Sequence, residues 1–262
     1  MSIVFQSIRS GSSGNCLLVR AGHTRLLIDA GFSAQRGCKE ALDGVLPEVD
    51  GVVVSHLHTD HISYSALRVM GECGVPVYVH KPDIPALRYK HFKGYDLDVQ
   101  IHPFSERQFT IGEVVVRPFR VPHFGEFDTF GFELTCERRG KPVRMVVATD
   151  MAHWDGLLPR FVNARFLYVE SNHDLELLRR YPNPNSEFHL RNEQCARLLR
   201  QALDNSDAPP AAVMLGHLSH ERNEPRIALQ TVHGILCDGG HDRVPIHVAP
   251  RFEPSEPVRV WG

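Results

Sequence analysis

No stretch of this chain comes near the roughly 20 consecutive apolar residues that a membrane-spanning helix needs, which removes that class of membrane protein. Charge of one sign is also lacking. Against 29 basic residues stand 31 acidic ones, so no global field marks the chain for nucleic acid, and only a local basic groove stays open. The six cysteines, at 16, 38, 73, 136, 195 and 237, form no C-x-x-C pair. That scatter speaks against a cysteine-rich zinc site or a disulfide framework and for free, mostly buried thiols. Met1–Ser10 has no basic segment followed by an apolar one, so no signal peptide is expected, and the expected compartment is the cytoplasm. The 20 glycines and 18 prolines are neither periodic nor clustered, which removes collagen-like and low-complexity classes. With 42% apolar and 23% charged residues, the 262-residue chain has ordinary globular composition, and its length suffices for a core without a metal or disulfide to hold it.

What the chain does have is histidine: 16 residues, with no terminal run. Histidine is the commonest metal ligand and a common acid–base group.

The patterned elements fall into two similar halves, about 1–105 and 106–262. The first half predicts strands at Ile3–Ile8, Asn15–Val19 and Thr24–Asp29, then a helix capped by Ser33 and ending near Gly44. The valine-rich run Gly51–Ser55 suits a strand buried on both faces. Helices at Ser65–Gly71 and Lys81–Phe92 flank a strand at Val75–His80. The second half predicts two strand-like runs within Gln108–Val121 and a hairpin of Phe130–Cys136 with Val143–Thr149. Helices then follow at Trp154–Asn163, Leu175–Arg180, Asn192–Asp204 and Pro225–Cys237, alternating with strands at Phe166–Glu170, Ala211–Leu215 and Val244–Val248. No linker separates the halves. The expectation is one domain, residues 1–262, of two mixed sheets packed together with helices outside.

Directly after the valine-rich strand comes His56-Leu-His58-Thr-Asp60-His61. His56 and His58 are two apart, so on extended backbone they project to one side. Asp60 and His61 lie where the chain turns toward a helix and can face a second point nearby. Three imidazoles and one carboxylate suit zinc, manganese or iron rather than magnesium or calcium. The bland alternative is a solvated turn, which gives no reason for this spacing behind three buried valines.

That stretch is the signature of the metallo-β-lactamase superfamily, which the chain resembles from Ser10 to about Pro225. The resemblance implies an α+β fold, the metallo-β-lactamase-like four-layer αβ/βα sandwich. It also supplies further site positions in family order: His123 in Val121-Pro-His123, Asp150 in Val147-Ala-Thr-Asp150, and His217 in Val213-Met-Leu-Gly-His217. Asp29, in Leu27-Ile-Asp-Ala-Gly31, matches an early aspartate that supports the site. Two divalent ions are implied, zinc or manganese or else iron. His56, His58 and His123 would hold one, Asp60, His61 and His217 the other, with Asp150 between them. Two such ions about 3.5–4 Å apart acidify a water and clamp both oxygens of a displacement. Singly, His123 could be a loop histidine, Asp150 a helix cap and His217 a strand-end histidine; it is their joint order that makes the ligand set.

Asp150 rather than cysteine at the bridging position resembles the phosphodiesterase and thioesterase branches. Too few residues separate Asp150 from His217 for a β-CASP insertion, and no Gly/Pro-rich arm of the tRNA 3′-processing type is present. Ser10–Cys16, Glu170–Asp174 and Leu215–Asn223 together resemble the YycJ-like (WalJ-like) branch, regarded as metal-dependent 5′→3′ DNA exonucleases. The chain departs from that pattern at Phe124-Gly125, where many members carry Asp-Ala, and at Phe188-His189-Leu-Arg191-Asn192, where Gly-His-Leu-Ser-Asn is commoner. The resemblance implies Asp60 as the group that orients or deprotonates water and His189 as general acid. His173 and Ser219 would be substrate contacts. Each has a plainer rival: packing at a helix start for His189, support behind the site for His173. Asn172 and Asp174 could cap the helix from Leu175, and Ser10–Gly14 could be only a tight hairpin turn.

Arg179, Arg180, Arg191, Arg197 and Arg200 form a local basic excess that suits a nucleic-acid backbone or merely solvated helix faces. The nine histidines at 23, 80, 91, 102, 153, 220, 233, 241 and 247 follow no ligand pattern, and surface or structural roles are expected. The implied substrate is DNA. Alternatives are a cyclic or RNA phosphodiester, a thioester or ester on the same scaffold, or a metal-binding module without catalysis. Asp60 and Asp150 speak against the last, since structural zinc sites are closed by four ligands.

Overall fold

A computed structural model describes residues 2–92, 94–125 and 127–261. Its strands are, in chain order, β1 (Ile3–Arg9), β2 (Cys16–Ala21), β3 (Thr24–Ile28), β4 (Gly51–Val53), β5 (Val77–His80), β6 (Ile101–Phe104), β7 (Phe109–Ile111), β8 (Val114–Arg120), β9 (Phe130–Arg138), β10 (Lys141–Ala148), β11 (Phe166–Glu170), β12 (Ala212–Gly216), β13 (Ile246–Val248) and β14 (Val258–Trp261). The helices are α1 (Gln35–Ala41), α2 (Tyr64–Glu72), α3 (Ile84–Leu87), α4 (Leu158–Phe161), α5 (Leu175–Arg180), α6 (Asn192–Asp204) and α7 (Pro225–Asp238).

One sheet runs β14-β1-β2-β3-β4-β5-β6 and the other β13-β12-β11-β10-β9-β8-β7. In each, an antiparallel part passes into a parallel one, at β3–β4 in the first and β10–β11 in the second. The period of two along each strand decides the layering. Leu26 and Ile28 of β3 join Phe5, Phe132, Met145, Phe166 and Tyr168 in the core between the sheets. Leu27, one residue out of phase, joins Leu18, Val52 and Val77 against Leu67 and Met70 of α2. Likewise Leu167 and Val213 face Leu198 and Leu199 of α6 and Val232 of α7. Helix, sheet, sheet and helix are thus stacked around three apolar clusters, as expected. Each fully buried Leu, Ile or Phe contributes about 1.5–3 kcal/mol of transfer free energy.

Some local expectations are corrected. Ser33 caps nothing: the first helix begins after Ala34, which offers no side-chain acceptor. Ser63 is the cap that works, its Oγ accepting the Ala66 N–H at 3.1 Å. Lys81–Phe92 is no single helix. Pro82 and Pro85 each start a new turn, so a 3₁₀ turn, the single turn α3 and a π turn follow one another. Trp154–Asn163 shortens to α4. The strands β6 and β14 were not expected; β6 is an edge strand that buries only Phe104 and carries Pro103. Among the described residues no helix is long and apolar enough to cross a membrane.

The chain segments that leave β3, β4, β10, β11 and β12 all emerge at the carboxyl edges of parallel strands, where open α/β sheets place their ligands.

Candidate metal centre

Every predicted ligand except His123 sits on one of those segments. His56, His58, Asp60 and His61 follow β4, His123 follows β8, Asp150 follows β10 and His217 follows β12. Asp29, Asp150 and His217 all adopt left-handed backbone, with φ of 62°, 58° and 53°. Non-glycine residues held there cost on the order of 1 kcal/mol each and persist where surrounding structure fixes them.

The side chains converge as two triads. His56, His58 and His123 bring one ring nitrogen each within 4.8 Å of one another, and so do Asp60, His61 and His217 with one ligand atom each. Within the first triad, Nε2 of His56 and Nδ1 of His58 lie 2.8 Å apart. In the second, Oδ2 of Asp60 is 3.5 Å from Nε2 of both His61 and His217. Asp150 lies between them: Oδ2 is 3.2 Å from His61 Nε2, Oδ1 is 3.7 Å from His217 Nε2, and its carboxylate also groups with His56.

Three of the atoms facing inward lack a partner. His123 Nε2, His217 Nε2 and Asp150 Oδ2 are buried with no hydrogen-bond partner, whereas buried polar atoms are otherwise almost always paired. Nitrogen and carboxylate donors with open lone pairs, arranged in two threes around a shared carboxylate, fit divalent metal ions.

Behind the triads, carboxylates fix the ring tautomers. Asp29 accepts from the Ser55 N–H at 2.7 Å, the Ser55 hydroxyl at 2.9 Å and His61 Nδ1 at 2.7 Å, which turns His61 Nε2 toward Asp60 and Asp150. Glu170, fully buried at the end of β11, does more. Its Oε1 accepts from Nδ1 of both His217, at 2.8 Å, and His189, at 2.7 Å, while Oε2 accepts the Met151 and Leu190 N–H groups. Burial opposes its charge, but the two histidines hold its pKa down to about 2.

The electrostatics of the triads differ. Burial pushes His56 well below the ordinary imidazole value, lowers His58 to about 4, and lowers His123 too, so these three are neutral and ready as ligands. Burial also disfavours charge on His61 and His217. There, though, the surrounding carboxylates win: Asp150, Asp29 and Asp60 raise His61 well above its usual value, and Asp150, Asp60 and Glu170 raise His217 to about 10.

A cavity of about 470 Å³ opens onto both triads, and His189, Asn172, Ser219 and Arg222 also line it. A groove of about 760 Å³ at the opposite edge of the sheets holds none of the predicted ligands. Ser219 is therefore on the wall as expected. His173 is buried behind it, with Nδ1 unpartnered and burial lowering its pKa to about 4, and its neighbour Asn172 takes the wall position. Asp174 caps α5 by accepting from the Glu176 and Leu177 N–H groups, the capping role the sequence suggested. The Ser10 hydroxyl accepts the His217 N–H at 2.8 Å and meets Tyr168 Oη at 2.7 Å, while Ser12 of the same loop lines the cavity. None of the five expected arginines lines the cavity; Arg222 does.

Three residues of the site were missed in the sequence: Glu170, Ser55 and Asn15. Asn15 holds the Asp60 carbonyl through its N–H at 2.7 Å and reaches His61 Nε2 at 3.1 Å. Glu170 had a signal, a carboxylate closing the apolar run Phe166–Val169. Asn15 lay in the Ser10–Cys16 motif with no role of its own assigned, and Ser55 had no signal.

This fold and this arrangement of donors define a class. The sequence model of the beta-lactamase superfamily domain matches residues 24–217, and the chain belongs to that superfamily of hydrolases. Within it the chain falls in the YycJ-like branch. It is 28% identical over 255 residues to an exodeoxyribonuclease YycJ of Bacillus anthracis, covering 92% of this chain and 91% of that protein. It is 25% identical over 240 residues to an exodeoxyribonuclease WalJ of Streptococcus pneumoniae, covering 87% and 86%. Among solved structures, the metallo-β-lactamase fold protein YhfI from Bacillus subtilis superposes with a TM-score of 0.75 at 18% identity, covering 97% of this chain and 99% of that one.

Proposed function

We propose that this protein is a dinuclear phosphodiesterase that acts as a 5′→3′ exonuclease on DNA, in the cytoplasm. The observation that carries the reading is the Glu170 bridge. One buried carboxylate holds Nδ1 of the candidate ligand His217 and Nδ1 of His189, a histidine outside both triads and on the cavity wall. The names of the two curated relatives favour DNA. All six cysteines are free thiols, which suits a reducing compartment.

His56, His58 and His123 would hold one ion, Asp60, His61 and His217 the second, and Asp150 both; zinc or manganese suits these donors. When bound, the ions supply Lewis acidity and an acidified water. Asp60, its carboxyl held far below the usual range by His61 and His217 despite burial, is ionised and would orient the attacking water or take its proton. His189 has its Nδ1–H engaged by Glu170, which leaves Nε2 to hand a proton to the departing oxygen. Glu170 outweighs burial and raises the His189 pKa, so the ring keeps its proton nearer neutrality. Ser219 on the cavity wall, with His173 behind it, would position the substrate.

The test is hydrolysis of bis-p-nitrophenyl phosphate beside a thioester, with and without added Mn²⁺ or Zn²⁺, followed by labelled DNA and RNA strands with 5′-phosphorylated ends. Metal-dependent phosphodiester cleavage that proceeds from the 5′ end of DNA is the expected result. Thioester cleavage alone, or DNA cleaved only from its 3′ end, would overturn the corresponding part.

A further inference from the structure

One feature of the cavity rim plays no part in the chemistry above. Phe124 is 70% exposed although it borders the metal cavity. Its ring lies parallel to that of the half-buried Phe188, with centroids 4.5 Å apart and planes 14° from parallel. Phe188 backs one face of Phe124, and the high exposure leaves the other face open.

The chain positions of the two rings matter. Phe124 directly follows His123, a candidate ligand, and Phe188 directly precedes His189, the candidate proton donor. The Phe188 carbonyl accepts from His123 Nδ1 at 3.3 Å, which ties the two segments together beneath the rings. A phosphodiester seated between the triads and His189 would therefore share its cavity with this stacked pair, since both rings line it. In a nucleotide, the group that lies one sugar away from the phosphate is the base.

We propose that Phe124, backed by Phe188, is a stacking platform for the unpaired nucleobase beside the scissile phosphate. This deepens the phosphodiesterase reading and rests on it. A single flat ring accepts any of the four bases, since each has a π-face, so the platform gives little sequence preference. It does give a strand preference: a base within a duplex is stacked above and below and cannot offer its face without being extruded, at a cost of about a few kcal/mol. Single-stranded or frayed ends are thus the favoured substrates. The polar part of the rim, with Asn183, Asn185 and Arg222 beside the rings, can meet the backbone or base edges.

The test separates base from backbone. Fluorescence anisotropy in chelator measures binding without cleavage. The probes are a labelled short oligothymidylate and an oligomer of equal length and charge built from abasic sites. Stacking is worth about 1–3 kcal/mol per base, or about 5- to 150-fold in Kd. Wild type should bind the oligothymidylate tighter by a factor in that range. Phe124→Ala should abolish the difference by weakening oligothymidylate alone, and Phe124→Trp should keep it. A Phe124→Ala variant that weakens both oligomers equally, or neither, overturns the platform. Adding Mn²⁺ or Zn²⁺ to wild type then tests the underlying reading separately. If neither oligomer is cleaved while base-dependent binding persists, the hydrolytic reading falls and the platform stands.

Discussion

At the scale of single residues, the division of labour turns on which ring nitrogen each histidine leaves free. Asp29 takes His61 Nδ1 and Glu170 takes Nδ1 of His217 and His189, so three Nε2 atoms are left for chemistry by two buried carboxylates. In the proposed reaction that chemistry is ligation for His61 and His217 and proton donation for His189. A general acid matters most when the leaving group is poor. DNA departs as a basic alkoxide, whereas p-nitrophenolate leaves without help. His189→Ala is therefore predicted to slow DNA hydrolysis by about 10²–10⁴-fold and the p-nitrophenyl ester much less, with metal content intact. Steady-state rates on the two substrates check this, and equal slowing would make His189 a binding or structural residue. Of the seven predicted ligands, four stand in the single stretch His56–His61, and the family resemblance supplied His123, Asp150 and His217. The side chains that aim them were harder to find. Ser55 acts through one hydroxyl that nothing in its neighbours marks, and Asn15 through amide groups inside a motif that gave it no individual role.

At the scale of elements, the strands were legible where both faces are buried. Gly51–Val53, Phe166–Glu170 and Ala212–Gly216 read as continuous apolar runs because a helix layer covers one face and the second sheet the other. Legibility failed at the edges. β6 exposes most of its side chains, and Lys81–Phe92 has helical spacing of apolar residues but two prolines that restart the turn. The turns that carry the site are packed against one another as closely as backbone allows. A Cβ on Gly31 would lie 1.8 Å from the Asp60 carbonyl oxygen, and one on Gly14 would lie 1.9 Å from the Gly31 carbonyl oxygen. Gly31→Ala is thus predicted to destabilise by about 1–3 kcal/mol or more, as overpacking does, and to weaken metal binding by displacing Asp60. Gly37→Ala, inside α1 with nothing within 4 Å of the added Cβ, is the control and should be neutral or stabilising by up to about 1 kcal/mol. Denaturant melts and metal titration of the pair check both, and equal behaviour would contradict the close approach at Asp60.

At the scale of the whole molecule, the centre links folding to protons and metal. Both sheets feed one core, so the triads sit at a junction that forms only when the two halves pack. In metal-free protein, burial disfavours a charged His217, but Asp150, Asp60 and Glu170 raise its pKa from 6.5 to about 10, and His61 is raised as well. A group whose folded pKa exceeds its unfolded value stabilises the fold fully below the unfolded value, and that contribution is lost as pH climbs through the folded one. The melting temperature in chelator should therefore fall between pH 6.5 and about 10. Metal ions would take the place of those protons, so the loaded protein should show a shallower decline. Thermal melts with and without Mn²⁺ or Zn²⁺ across that range check the slope, and identical slopes would contradict the linkage.

The claim on which the rest depends is that two ions share this centre. Metal analysis of protein reconstituted under excess Mn²⁺ or Zn²⁺ tests it most directly, with His217→Ala measured beside wild type. Two equivalents per chain are predicted for wild type and about one for the variant, since His56, His58 and His123 form a triad of their own. A stoichiometry that never exceeds one in wild type, and is unchanged by His217→Ala, would contradict the account.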